Sequence, residues 1–363
     1  MTAPFRVLAA VLFCVPALAA DEGPHGPTYT SPLEAGEDFD FQGEFLGWQR
    51  PQGTHRSTQR IGLQVISRGD GEFLAVKHLG GLPGDGGHRR DQYLYDGRRL
   101  GAGVFLLGDI TDLRVHFGHA DVLTKDGRTI GRLERVYRES PTLGVAPPEG
   151  AVVLFDGDQP DRLRDVRLTD EGWLAVGAET SDRYRSFRMH GEFLLPYQPK
   201  ARGQARANSG FYLQNRYEVQ VLDSFGLEGV ENECAALYRQ RAPDENLCLP
   251  PLVWQTYDID FTAAEFAGGE RIAPARISLW HNGVPVHRDV EITGKTGAGQ
   301  PEGADAMPIR FQDHGNPVVF RNLWIIDTTD PAAREIDWLD LPLRAAPMPI
   351  AHWPPPCLCS PGR

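Results

Sequence analysis

"NSGFYLQNRYEVQVLDS", residues 208–224, sets two short strand-like runs against each other. Side chains alternate faces along a strand, so Tyr217, Val219, Val221 and Asp223 share one face while Glu218, Gln220 and Leu222 share the other. In the first run Tyr212 and Gln214 oppose Phe211 and Leu213. A strand buried on both sides would carry Val or Ile where Glu218 and Gln220 stand. The stretch therefore reads as antiparallel β structure with one core face and one polar face.

The same period recurs on both sides of it. "VVLFDG", "GWLAVG", "SFRMHGEFLLPY", "WQTYDIDF", "ARISLWHNGVPVH" and "NPVVFRNLWIID" alternate in the same way, with Asn-Gly in "HNGV" (281–284) marking a hairpin. So many short strands predict a two-sheet sandwich. In "IRFQDHG" (309–315) Arg310, Gln312 and His314 point one way, and "WQTYDID" (254–260) groups Trp254, Thr256, Asp258 and Asp260. If these polar faces converge they form a cleft of carboxylate, amides, imidazole and aromatic surface, a mixture that binds sugars by hydrogen bonding and ring stacking.

Upstream, "RIGLQVIS", "EFLAVKHL", "GVFLLG" and "RTIGRLERVYR" are separated by Asp-Gly turns and predict a β-rich accessory domain over 35–144. Prolines cluster in "SPTLGVAPPEGA" (140–151), and the sandwich is expected over 145–330. Residues 21–34 read as a flexible lead-in and 331–363 as a Pro-rich, loosely ordered tail. Residues 1–20 combine Arg6, an apolar run from Val7, and Ala17 and Ala19 at cleavage positions. They read as a signal peptide, which predicts export to the periplasm or the outside of the cell. The cysteines then enter an oxidising compartment, where Cys234 and Cys248, flanking one loop, are expected to form a disulfide; zinc is the weaker alternative.

The chain has 363 residues, 41% of them hydrophobic, with 40 glycines, 29 prolines and a formal charge of −12, so it can bury a core and is poorly suited to nucleic acid or anionic membranes. No second apolar run is long enough to span a bilayer. In "GKT" (294–296) Asp289 stands where a phosphate loop would have its first glycine, and neither HExxH nor GxSxG occurs.

"LFDG" (154–157), "ANSGFYLQ", "YEVQVLDS", "HNGV" and "FQDHGNPVVFRNLWI" (311–325) follow one another in an order that resembles the 3-keto-disaccharide hydrolase domain family, over roughly residues 148–328. The resemblance implies a concanavalin- or lectin-like jelly roll with the sugar site on its concave sheet. It also implies cleavage of glycosides oxidised at C3. A ketone there acidifies the C2 proton; its removal gives an enolate whose collapse expels the C1 substituent, and hydration completes a net hydrolysis. Glu218 is then the expected base, with His314 the alternative base or the acid for the leaving oxygen. Arg216, Gln220 or a bound divalent cation would stabilise the enolate oxygen. Asn208, Tyr212, Gln312 and Trp254 complete the expected contacts to an oxidised sugar or oligosaccharide.

Two departures stand out: Gln255 where family members often carry Asn, and the cysteine-bearing loop before "LPPLVWQ". Jelly rolls also host lectins, so a non-catalytic carbohydrate-binding module is the rival expectation, and a cell-surface interaction protein a third.

Overall fold

The computed structural model describes residues 22–23, 25–51, 57–158, 160–329, 333 and 348–352. The expected signal peptide, Cys357 and Cys359 lie outside these residues. Among the described residues no helix is long and apolar enough to cross a membrane.

The accessory domain is a closed barrel. Its strands run Gly43–Gln49 (β1), Gln59–Gly69 (β2), Glu72–Leu79 (β3), Gln92–Leu100 (β4), Gly103–Leu107 (β5), Asp112–Val115 (β6), His119–Leu123 (β7) and Thr129–Arg138 (β8). Each pairs antiparallel with the next, and β8 returns to β1, so no edge is left open. The inward alternation that made these segments legible fills the barrel with Phe45, Ile61, Leu63, Val65, Phe73, Val104, Leu106, Val115 and Val122.

The sandwich contains Val152–Phe155 (β9), Leu163–Arg164 (β10), Leu174–Ala175 (β11), Glu179–Thr180 (β12), Phe187–Leu194 (β13), Ser209–Leu213 (β14), Tyr217–Val221 (β15), Trp254–Thr262 (β16), Ala275–His281 (β17), Val284–Ile292 (β18), Arg310–Phe311 (β19) and Val319–Asp327 (β20). One sheet runs β9-β20-β13-β16-β17-β18, with β11 also on β20; the other runs β10-β12-β19-β14-β15. This is the expected all-β jelly roll. The hairpin at Asn282-Gly283 has φ of 51° and 76° at its two central residues, the left-handed pair that matches strand twist.

Apolar side chains of both sheets meet between them. Phe211 of β14 packs edge-on against Tyr257 and Phe320 of the facing sheet, at ring-centroid distances of 5.4 and 5.5 Å. It approaches Gly191 of β13 so closely that a Cβ there would stand 2.8 Å from its ring. Phe187, Met189 and Phe193 therefore face the core, and His190 and Glu192 face outward.

Barrel and sandwich share an apolar contact: Ile66 and Val76 of the barrel belong to the sandwich core cluster. Two expectations change here. The lead-in is tied down, with Tyr29 and Tyr197 exchanging backbone hydrogen bonds at 2.9 Å and Gln198 donating to Thr28. Part of the tail is ordered too, since Ile350–His352 pairs antiparallel with β8 and Met348 is buried. In both places backbone pairing to a neighbouring element outweighs what Pro-rich and Gly-rich composition suggests. The Pro-rich connection is likewise strapped down: Thr142 donates to Asp258 at 2.8 Å and the Gly144 amide to Glu192 at 2.6 Å.

Candidate functional site

Antiparallel pairing turns the alternation of three strands into adjacent rows. Arg310 stands opposite Tyr212, and Tyr212 opposite Glu218. In the next row Gly210 stands opposite Gln220, and the Gln312 amide donates to the Gly210 carbonyl at 2.9 Å. The polar face expected from sequence is thus a continuous patch on the smaller sheet.

Glu218 lies at its centre, only 3% exposed. Tyr212 Oη donates to Glu218 Oε2 at 2.8 Å, and the Arg310 guanidinium sits over the Tyr212 ring at 4.5 Å. Burial raises the Glu218 carboxyl to about 7, with the Tyr212 hydrogen bond and the Arg310 charge pulling the other way. The Tyr212 phenol is itself held well above its ordinary value, first by burial and then by the Glu218 charge.

Loops close against the Glu218 side of the site. Thr296 Oγ1 accepts the Glu218 amide at 2.6 Å, so the Gly-rich segment 294–299 lies against the carboxylate strand, with Gly297 beside both Tyr238 and Glu218. On the free side of β15 the cysteine loop adds a further pairing: the Ala235 amide donates to the Gln220 carbonyl at 2.9 Å and the Tyr238 amide to the Glu218 carbonyl at 3.1 Å.

Gln220 donates to Gln204 Oε1 at 2.9 Å, and Asn208 donates to the Gln204 carbonyl at 2.7 Å. Yet Asn208 Oδ1, Gln220 Oε1, Gln312 Oε1 and Arg310 Nε are buried without a partner among the described residues. Unpaired buried polar atoms are expensive, on the order of 1–3 kcal/mol each, and four on one patch mark a place prepared for a polar ligand.

Several expected residues lie elsewhere. Trp254 is on the opposite sheet, paired with Leu194, its ring under Arg321 at 4.0 Å and edge-on to Trp173. Thr256 and Asp258 share that outer face, so their row does not converge on the Glu218 row: the two strands sit in different layers. Arg216 has the parity of Glu218 but is consumed by backbone, donating to the Pro301 and Asp305 carbonyls at 2.9 Å each. Its Nη1 also donates to Gln214 Oε1 at 3.0 Å, so Nε and Nη1 are spent on anchoring the loop that follows Gly299. His314 is exposed at a turn in which the Gly315 amide donates to Asp313, at the rim beyond the strand end. Cys234 and Cys248 are buried free thiols, not the expected disulfide; Cys234 Sγ lies 3.2 Å from Tyr257 Oη, and Cys248 faces the Leu222 and Leu249 carbonyls. The loop is held without a covalent bond by its backbone pairing to β15.

Arg310, Gln204 and Thr296 are the members that sequence reasoning did not single out as site residues. Arg310 shares strand parity with Gln312, and that signal was present; Gln204 sits in a single 3-10 turn, Gly203–Ala205, and Thr296 in a loop, neither with a periodicity to read.

Residues 147–326 match the family described as the 3-keto-alpha-glucoside-1,2-lyase-like domain. The chain belongs to this family. The lyase-like domain coincides with the jelly roll that carries Glu218 and leaves the barrel outside the match. It is similar to a solved candidate glycosyl hydrolase from Parabacteroides distasonis ATCC 8503, with 30% identity, a TM-score of 0.47, and coverage of 53% of this chain and 90% of that one. A second from the same organism shares 20% identity with a TM-score of 0.37, covering 49% and 94%. No curated protein matches. The family match makes this a domain of a glycoside-acting class.

Proposed function

We propose that the chain is an exported, periplasmic or extracellular enzyme that cleaves 3-keto-glycosides or 3-keto-disaccharides, with Glu218 as the base that removes the C2 proton. The observation that carries this reading is a buried carboxyl raised to about 7, among four unpartnered polar atoms, on the smaller sheet of a lyase-like domain. A base with that value is half ionised near neutral pH, where proton abstraction is most effective. Arg310, beside the carboxylate and aromatic ring, is the cation best placed to favour the enolate oxygen. Asn208, Gln220 and Gln312 would take sugar hydroxyls. His314, at the rim, would protonate the leaving oxygen. Access requires the 294–299 segment to move off the Glu218–Tyr212 pair. A divalent cation has no ligand cluster at this face among the described residues, so no step is assigned to one.

The test is incubation of the purified chain with a 3-keto-glucoside, following release of the aglycone and of 3-keto-glucose. Turnover is expected. Binding without turnover would convert the reading to a lectin-like module, for which the unpartnered amides supply the same hydroxyl contacts.

A further inference from the structure

The barrel carries a second cluster that the sugar chemistry does not use. The β6–β7 turn spells "HFGHAD", residues 116–121. The His116 amide donates to the His119 carbonyl at 2.8 Å, which closes the turn and stacks the two imidazoles at a ring-centroid distance of 4.5 Å. Asp121, two residues along β7, shares the outward face with His119. The donor atoms of His116, His119 and Asp121 all lie within 4.8 Å of one another.

We propose that these three residues form a binding site for a divalent transition-metal ion, zinc being the reference case. Two imidazoles and one carboxylate are a donor set such ions favour, and three protein ligands leave a position for water. Bound at ~2.1 Å in a tetrahedron, the donors would stand ~3.4 Å apart, so closing the site takes side-chain movements of about an ångström. The backbone is already fixed. Arg135 Nε donates to the Phe117 carbonyl at 2.6 Å, and the Arg135 amide to the Gly118 carbonyl at 2.9 Å. The opposing charge is Arg114 and Arg132. Arg114 occupies Asp121 Oδ2 at 2.9 Å, whereas Arg132 stands 3.8 Å from Oδ1, which keeps that oxygen open to an ion while the two guanidiniums lower the affinity. Bound metal would clamp the turn to β7 and leave the sugar face untouched.

The experiment is titration of the reduced full chain with zinc by calorimetry, and with cobalt(II) by absorption, for the wild type, His116→Ala and His119→Gln. His116 sits in a half-buried turn, and His119→Gln keeps a polar side chain of similar length, so at least one variant is expected to fold, as judged by its thermal transition. One zinc per wild-type chain is expected, lost in either folded variant, with a cobalt spectrum free of sulfur charge transfer. Wild type that binds no zinc, variants that bind as the wild type does, or a thiolate-to-cobalt band that places the ion on cysteine would each overturn the proposal.

Discussion

Tyr212 Oη lies 2.8 Å from Glu218 Oε2, joining the two strands of the carboxylate face through one buried hydrogen bond. The bond favours the ionised carboxylate and partly offsets the burial that lifts Glu218 to about 7. If Glu218 is the base, turnover of a 3-keto-glucoside rises with pH through about 7. Glu218→Gln should lower kcat by a factor on the order of 100 or more. Tyr212→Phe should move the rising limb to higher pH, because the ionised form loses its donor. A rate–pH profile of the three proteins checks this, and an unshifted limb in Tyr212→Phe would separate the phenol from the base.

The same burial has a stability signature that needs no substrate. Glu218 rises from 4.5 in the unfolded reference to about 7 in the fold. Between those values the folded state holds more protons, so its stability falls as pH rises. Glu218→Gln removes this dependence. Its stability relative to wild type should therefore climb from about pH 5 to about pH 8, by up to about 3 kcal/mol. Denaturant midpoints at the two pH values measure the gap; a constant gap would mean that Glu218 titrates at its ordinary value.

Gly210 faces Gln220 across the hairpin, and a Cβ on it would stand 2.8 Å from Glu218 Oε1. The Glu218 carboxylate can swing away more cheaply than the strands can part. Gly210→Ala should lower kcat by about tenfold or more, while the melting temperature changes little, since a displacement of about an ångström suffices to misplace a base. A large loss of stability with activity preserved would place the strain in the backbone instead.

The strands of the sandwich were legible because its core is a period-two core: Phe211, Val219, Ile259 and Phe311 alternate with polar residues as a half-buried sheet requires. The row holding Glu218, Gln220, Arg310 and Gln312 was legible for the same reason. Sheet assignment was not. Trp254 and Asp258 have the right alternation, but which layer a strand joins is fixed by long-range pairing, and they ended on the outer face. Arg216 shows a second limit, because parity gives direction at Cβ while a long side chain goes where carbonyls await it. Barrel closure rests on the single return pairing of β8 to β1, and no local pattern encodes such a pairing.

Gly226 ties the barrel to the loop that flanks the site. Its φ of +70° suits glycine, and a Cβ there would stand 2.4 Å from Ile66 Cδ1. The loop continues through Cys234 to the backbone bonds with Gln220 and Glu218. Gly226→Ala should destabilise the chain by about 1–3 kcal/mol and speed proteolytic cleavage within residues 225–249. Thermal unfolding and a timed protease digest test this. Wild-type cleavage kinetics would show that the barrel does not hold the loop in place.

On the outer face of the larger sheet, His190 is enclosed with Asp258 Oδ1 at 2.6 Å and Glu192 Oε1 at 3.6 Å, while Arg321 reaches Glu192 at 2.7 Å. Burial opposes a charged imidazole, but Asp258 and Glu192 outweigh it and raise His190 to about 9. Glu192 is held down at about 2, against its own burial, by His190, Asn322, the Gly144 amide and Arg321. A histidine raised in the fold stabilises fully below its unfolded value near 6.5, and the contribution is lost as pH climbs through about 9. His190→Gln leaves Asp258 without its charged partner and should cost about 3–5 kcal/mol near neutrality. That penalty should shrink as pH rises past about 9, where the wild type loses the same charge. Melting temperatures of both proteins between about pH 6 and about pH 10 decide it. Parallel curves would mean that His190 is neutral in the fold and that the network is held by neutral hydrogen bonds alone.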